Sequence, residues 1–185
     1  MHWHHLVRSH GLDCMDVYLR LANGESADFD VITFNFGLHD LGNTSADLST
    51  YTTQLSAIAD RLLQTKAKLL YIYTTPMMPD CCDGAPLIPS SEGAPPPKCK
   101  RGAAAIYSCD SVVQRLNQAA QGVMASRKIP TLDLHKVVTD VCAPKPPHRY
   151  VNCSICRMQP CSFHYNPEGY KMLSQPIASA IRKLL

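Results

Sequence analysis

The segment DVITFNFGLHDLG, from Asp30 to Gly42, constrains the fold of this chain more than any other. Four β-favouring residues, Val31, Ile32, Thr33 and Phe34, lead into Gly37-Leu38-His39-Asp40. An apolar run of this kind marks a strand buried on both faces, as in a parallel sheet. A glycine turn at its end delivers polar side chains to the sheet's carboxyl edge, where open α/β sheets bind ligands. A later block, SFHYNPEGY from Ser162 to Tyr170, sets a histidine just ahead of a helix start. Together the two blocks point to acyl-transfer chemistry.

The rest of the chain reads as alternating helices and strands. Residues 11–22 predict a short amphipathic helix, with Leu12, Val17, Leu19 and Leu21 facing a core and Asn23-Gly24 ending it. The first strand spans 30–36, and a helix capped by Ser45 or Asp47 runs to about Thr65. Its apolar residues Leu48, Tyr51, Leu55, Ile58, Leu62 and Leu63 recur at helical spacing. KLLYIYTT, residues 68–75, predicts a second buried strand closed by Pro76. A helix over 107–127 uses Val112, Val113, Leu116, Ala119, Ala120 and Val123, and residues 131–134 form a third strand. The last helix starts after Asn166-Pro167, where proline suits the first turn, and continues to Leu185. Two stretches, 77–101 and 141–161, are rich in proline and cysteine and read as long irregular loops. This order predicts a single α/β domain over 1–185, a three-layer α/β/α arrangement on a parallel sheet of the flavodoxin-like kind. Three strands are few for such a sheet, so one or two more are expected ahead of Met1.

Composition excludes some classes. The formal charge is +3, and Lys98, Lys100 and Arg101 form the one tight basic cluster, which argues against a nucleic-acid partner. No apolar stretch approaches the roughly 20 residues that span a bilayer. Nine cysteines in 185 residues is high for a reducing compartment and fits the secretory pathway or the extracellular space. Sequons at Asn43 and Asn152 agree with that setting, although no signal segment opens the chain. An odd number leaves at least one thiol without a partner inside this sequence. Cys81 or Cys82 with Cys99 would close the first irregular loop, though spacing does not fix connectivity. His2, His4 and His5 read as a solvated terminal segment.

The blocks FGLHDL, YIYTTP and HYNPEGY, in this order, resemble the SGNH hydrolases, also called GDSL-type esterases and lipases. FGLHDL is similar to that family's G-x-N-D block, and HYNPEGY to the block whose D-x-x-H carries the catalytic base. The resemblance runs from about Asp30 to Leu185. It implies that His164 is the general base, taking a proton from a serine and returning it to the leaving alcohol. It further implies that the Gly37 backbone N–H and the side chain of His39, where the family has asparagine, donate to the oxyanion. An imidazole donor there makes the role dependent on tautomer and pH. Asp40 then fixes the turn by bonding neighbouring backbone. The implied substrate is a carboxylic ester of a carbohydrate, a lipid or a small aryl alcohol, hydrolysed with no organic cofactor and no metal.

The chain departs from the family in two places. Cys161 stands three residues before the base, where an aspartate orients the imidazole, and sulfur is a poor acceptor for a ring N–H. No Gly-Asp-Ser block is present either. Gly24-Glu25-Ser26 precedes a strand and so falls at the wrong edge of the sheet, and Ser9 follows no strand. The expectation is therefore a chain that begins after the nucleophile block and is inactive or weak by itself. A non-catalytic scaffold is the second expectation. A third is a small zinc-stabilised domain, because Cys153, Cys156, Cys161 and His164 have the spacing of a tetrahedral ligand set.

Overall fold

The structure, a computed structural model, describes residues 12, 14–19, 28–38, 40, 48–77, 110–142, 153–157 and 164–185. Within them the elements follow the order α1 (Met15–Tyr18), β1 (Val31–Phe34), α2 (Leu48–Leu63), β2 (Lys68–Ile72), α3 (Asp110–Ser126), β3 (Thr131–Leu132), α4 (Leu134–Cys142) and α5 (Pro167–Leu184). The three described strands are parallel and lie in the order β1-β2-β3. Val31 pairs with Lys68 and Phe34 with Tyr71, so β1 and β2 end level. Asn35 and Tyr73 therefore lead away from the same carboxyl edge.

Alternation along β2 divides the interior into two layers. Leu69, Tyr71 and Tyr73 join the larger core with Tyr51, Leu55, Ile58 and Leu62 of α2 and Val113, Leu116, Ala120 and Met124 of α3. Ile72 points the other way and joins Leu134 and Val138 of α4 and Leu173 of α5, with Leu132 of β3 beside it. A period of two along a strand produces this split, and helices on both faces give the three-layer architecture. Each helix presents one apolar stripe. Tyr51, Leu55, Ile58 and Leu62 are all buried along α2, at the spacing one helix face requires.

α5 runs antiparallel to the strands. Its carboxyl end lies against the start of β2, where the Lys68 ammonium donates to the Leu184 carbonyl. Its amino end therefore lies at the sheet's carboxyl edge. Asn166 caps that end by accepting from the Gly169 N–H at 2.8 Å, with Pro167 in the first turn as expected.

Several expectations need correction. Val17 and Leu12 are exposed, whereas Leu19 is buried as expected and Met15, not expected there, is buried with it. Leu63 is also exposed, one step past the α2 stripe. β3 stops at Leu132, and α4 occupies Leu134–Cys142, so the start of the expected 141–161 loop is helical. The proposed caps Ser45 and Asp47, the sequons at Asn43 and Asn152, the 81–99 cysteine pairing, and Leu21 with Asn23-Gly24 lie outside the described residues.

Candidate active site

Gly37 carries the turn beyond β1. Its φ is +146°, and a Cβ built on it would stand 2.6 Å from Thr74 Oγ1. Glycine is required twice over here, by conformation and by space. The preceding residue, Phe36, is held by side chains from the sheet and α2. The Phe36 carbonyl accepts from the Tyr71 hydroxyl at 2.7 Å and from the Tyr51 hydroxyl at 3.0 Å. Those two hydroxyls are themselves 3.1 Å apart. Burial pushes the Tyr71 phenol up to about 12, with the bonds to Tyr51 and Phe36 opposing the rise. The Asp40 N–H closes the turn on the Gly37 carbonyl at 3.0 Å, and Asp40 itself is buried.

Thr74, two residues past β2, is the wall on which this turn leans. Its hydroxyl is 3.1 Å from Asn35 Nδ2, which also donates to the Ile72 carbonyl at 2.6 Å. Asn117 of α3 fixes the Thr74 backbone from behind. Thr74 N–H donates to Asn117 Oδ1 at 3.0 Å, and Asn117 Nδ2 donates to the Thr74 carbonyl at 2.9 Å. A buried amide that uses both its ends on one residue's backbone leaves that backbone a single position.

His164 sits immediately before the capped start of α5, exposed to solvent. Its main chain is clamped. The Arg157 N–H donates to the His164 carbonyl at 3.0 Å, the Asn166 N–H donates to the Ile155 carbonyl at 3.0 Å, and Cys156 bridges Tyr165 in antiparallel fashion. The Asn166 side chain adds a bond from Nδ2 to the Ser154 carbonyl at 2.6 Å. Gly169 permits the close packing, since a Cβ there would meet the Ile155 carbonyl at 2.4 Å. The 153–157 segment is in turn tied to the end of α4 by a disulfide between Cys142 and Cys153.

The next residue, Tyr165, turns inward. Burial pushes its phenol up to about 12, the neighbouring Thr75 side chain opposing the rise and Tyr170 and Asp110 adding to it. Among the described residues the hydroxyl has no hydrogen-bond partner of standard geometry, and Thr75 is a close neighbour. Gly37 thus abuts Thr74, and the residue after His164 abuts Thr75. Both blocks meet the same dipeptide at the carboxyl end of β2.

Asp110, at the start of α3, forms a second knot on this edge. It accepts from the Met77 N–H at 3.2 Å and from Gln114 Nε2 at 2.7 Å, and lies 2.9 Å from His135 Nε2. The other ring nitrogen of His135 is 3.4 Å from Thr139 Oγ1. These contacts make His135 a brace between α3 and α4. Sequence reasoning passes over Thr74, Asn117, Asp110 and His135. An asparagine on the apolar stripe of α3 was the available signal, because such a residue must be satisfied by something.

Of the expected zinc set, Cys161 lies outside the described residues. Cys153 is bonded to Cys142, and Cys156 is also disulfide-bonded, so neither offers a thiolate. The sulfurs of Cys142, Cys153 and Cys156 do lie within 4.8 Å of one another, but as oxidised sulfur. His39, Cys161, Ser9 and Ser26 lie outside the described residues. No described helix is long and apolar enough to cross a membrane.

No protein-family model matches the chain, and no curated protein matches it significantly. Solved structures do. A lipase/acylhydrolase from Enterococcus faecalis superposes with a TM-score of 0.50 at 20% identity, covering 83% of this chain and 62% of that one. The acetyl xylan esterase AlAXEase superposes with a TM-score of 0.57 at 16% identity, covering 90% of this chain and 75% of that one. The chain has the fold of these two structures, which is consistent with the SGNH hydrolase fold expected from its motifs. Identity this low carries the fold and not the activity. Open α/β sheets bind ligands outside the carboxyl ends of their strands, and the Gly37 turn, the 74–75 dipeptide and the segment that follows His164 lie at that edge here.

Proposed function

We propose that this chain carries the base and oxyanion portions of a carboxylic-ester hydrolase working through an acyl-serine intermediate. His164 is the general base, and the Gly37 backbone N–H, with the His39 side chain, donates to the oxyanion. Asp40 holds the turn. Cys161 occupies the position of the usual orienting carboxylate and contributes no acceptor of that strength. The observation that carries this reading is the shared footing of both blocks on Thr74 and Thr75.

The clamps on the His164 main chain supply a second support. The bonds to Arg157 and through Asn166 fix the main chain on either side of the imidazole and so hold it in one place at the start of α5. The disulfide that anchors them fits an extracellular or secretory-pathway setting. The substrate class is an ester of a carbohydrate, a lipid or a small aryl alcohol.

Hydrolysis of p-nitrophenyl acetate by the chain, beside its His164→Ala variant, tests the proposal. The chain is expected to be hardly above background, because its sequence holds no Gly-Asp-Ser block, yet what it retains should depend on His164. Equal rates for both proteins would favour a non-catalytic binding scaffold. Robust turnover with fluorophosphonate labelling would mean that a serine of this chain is the nucleophile.

A further inference from the structure

A pocket of about 230 Å³ opens on the carboxyl side of β2 and β3, between α3 and the start of α4. Tyr73, Gln114, Asn117, Gln118, Gln121, Asp133 and His135 line it. We propose that it binds a neutral polyhydroxylated ligand, a saccharide unit.

The lining selects this chemistry by what it contains. Four carboxamides come from one helix at positions 114, 117, 118 and 121, spaced three and four residues apart, with the buried Asn117 at the border of the core stripe of Val113, Leu116, Ala120 and Met124. A carboxamide both donates and accepts, as does a sugar hydroxyl, so a row of amides matches a row of ring hydroxyls without any charge. No lysine or arginine is among the described lining residues, which disfavours an anion. The one carboxylate among them, Asp133, already accepts from the Lys136 N–H at 2.8 Å, which is a poor basis for holding a cation. Apart from the Tyr73 ring no described apolar side chain lines the pocket, so an acyl chain has little to bury against.

The walls are fixed before any ligand arrives. Asn117 is committed to the Thr74 backbone, Gln114 to Asp110, and His135 to Asp110 and Thr139. That leaves Gln118 and Gln121 as the residues best able to read a ligand. The volume lies below the roughly 300–1,000 Å³ of sites for drug-sized molecules and suits one ring rather than an extended chain. The pocket shares the 73–74 segment with the proposed ester site, so a carbohydrate ester is a natural substrate. The binding inference stands without that link, because an unesterified saccharide tests it.

Ligand-observed NMR titrations with xylobiose, cellobiose and galacturonic acid on the full chain provide the test, beside the Gln118→Ala/Gln121→Ala variant. The neutral disaccharides are expected to bind in the millimolar range and galacturonic acid more weakly. The variant should lose about tenfold in affinity, a factor of a few for each hydrogen-bonding group removed. Its melting temperature should be unchanged, since neither side chain belongs to the core. Absence of binding by either neutral disaccharide, or equal binding by the variant, overturns the inference. Either result leaves the His164-dependent hydrolysis untouched and so separates this claim from the esterase reading.

Discussion

Gly37 and Thr74 approach so closely that a single methyl group at Gly37 would fall 2.6 Å from the threonine hydroxyl. Thr74 cannot retreat, because Asn117 holds its N–H and its carbonyl and Asn35 bonds its hydroxyl. Gly37→Ala is therefore expected to destabilise the fold by about 1–3 kcal/mol, combining an unfavourable φ with the clash. Urea denaturation of the two proteins measures it. A variant as stable as the parent would mean that the turn is free to move.

The Cys142–Cys153 disulfide joins residues 11 apart and anchors the segment that clamps His164. Replacing both cysteines by serine should cost roughly 2–3 kcal/mol, the stabilisation expected of a loop of that size. Because 153–157 holds the His164 carbonyl, the same variant should lose His164-dependent hydrolysis under conditions where it remains folded. Retention of full stability and rate would detach the disulfide from the site.

Asn166 caps α5 and bonds the Ser154 carbonyl with the other end of its amide. Asn166→Ala removes both interactions. A loss of about 1–2 kcal/mol is expected, near the upper range for an N-cap, measured by chemical denaturation. Asn166→Asp keeps the cap acceptor and should recover part of it.

Tyr71 and Tyr165 are both raised to about 12, chiefly by burial. Each phenol is neutral in the folded chain, whereas an exposed tyrosine ionises near 10. Their contribution is complete below pH 10 and is lost as the pH climbs from 10 towards 12. The loss is on the order of 2–3 kcal/mol per tyrosine. Tyr165→Phe isolates one of them, because that hydroxyl has no hydrogen-bond partner of standard geometry among the described residues. The variant should match the parent at neutral pH and lose less stability across the alkaline window, as followed by denaturation at stepped pH.

Much of the fold is legible in local sequence. The apolar run before Gly37, the KLLYI run of β2 and the Asn166-Pro167 helix start all act through short-range chemistry, and each lies where that chemistry puts it. What the sequence conceals depends on distant partners. α4 carries Val137, Val138 and Val141, β-branched residues with weak helix preference, and forms because Leu134 and Val138 are buried against α5. The bonds between Thr74 and Asn117 join residues 43 apart. The partner of Cys153 could not be chosen from spacing, and in the structure it is Cys142.

The site is legible to the same extent. His164 and Gly37 stand out because a helix start and a glycine turn mark them, while the dipeptide that unites them, Thr74-Thr75, carries no motif of its own.

A double-mutant cycle on p-nitrophenyl acetate hydrolysis, with His164→Ala, Gly37→Ala and the pair, tests most directly whether the two blocks act on one substrate. Residues that act as a unit give non-additive losses, so the double variant should be scarcely slower than His164→Ala alone. Losses that multiply independently, or a chain whose residual rate ignores both substitutions, would contradict a shared site at the carboxyl edge.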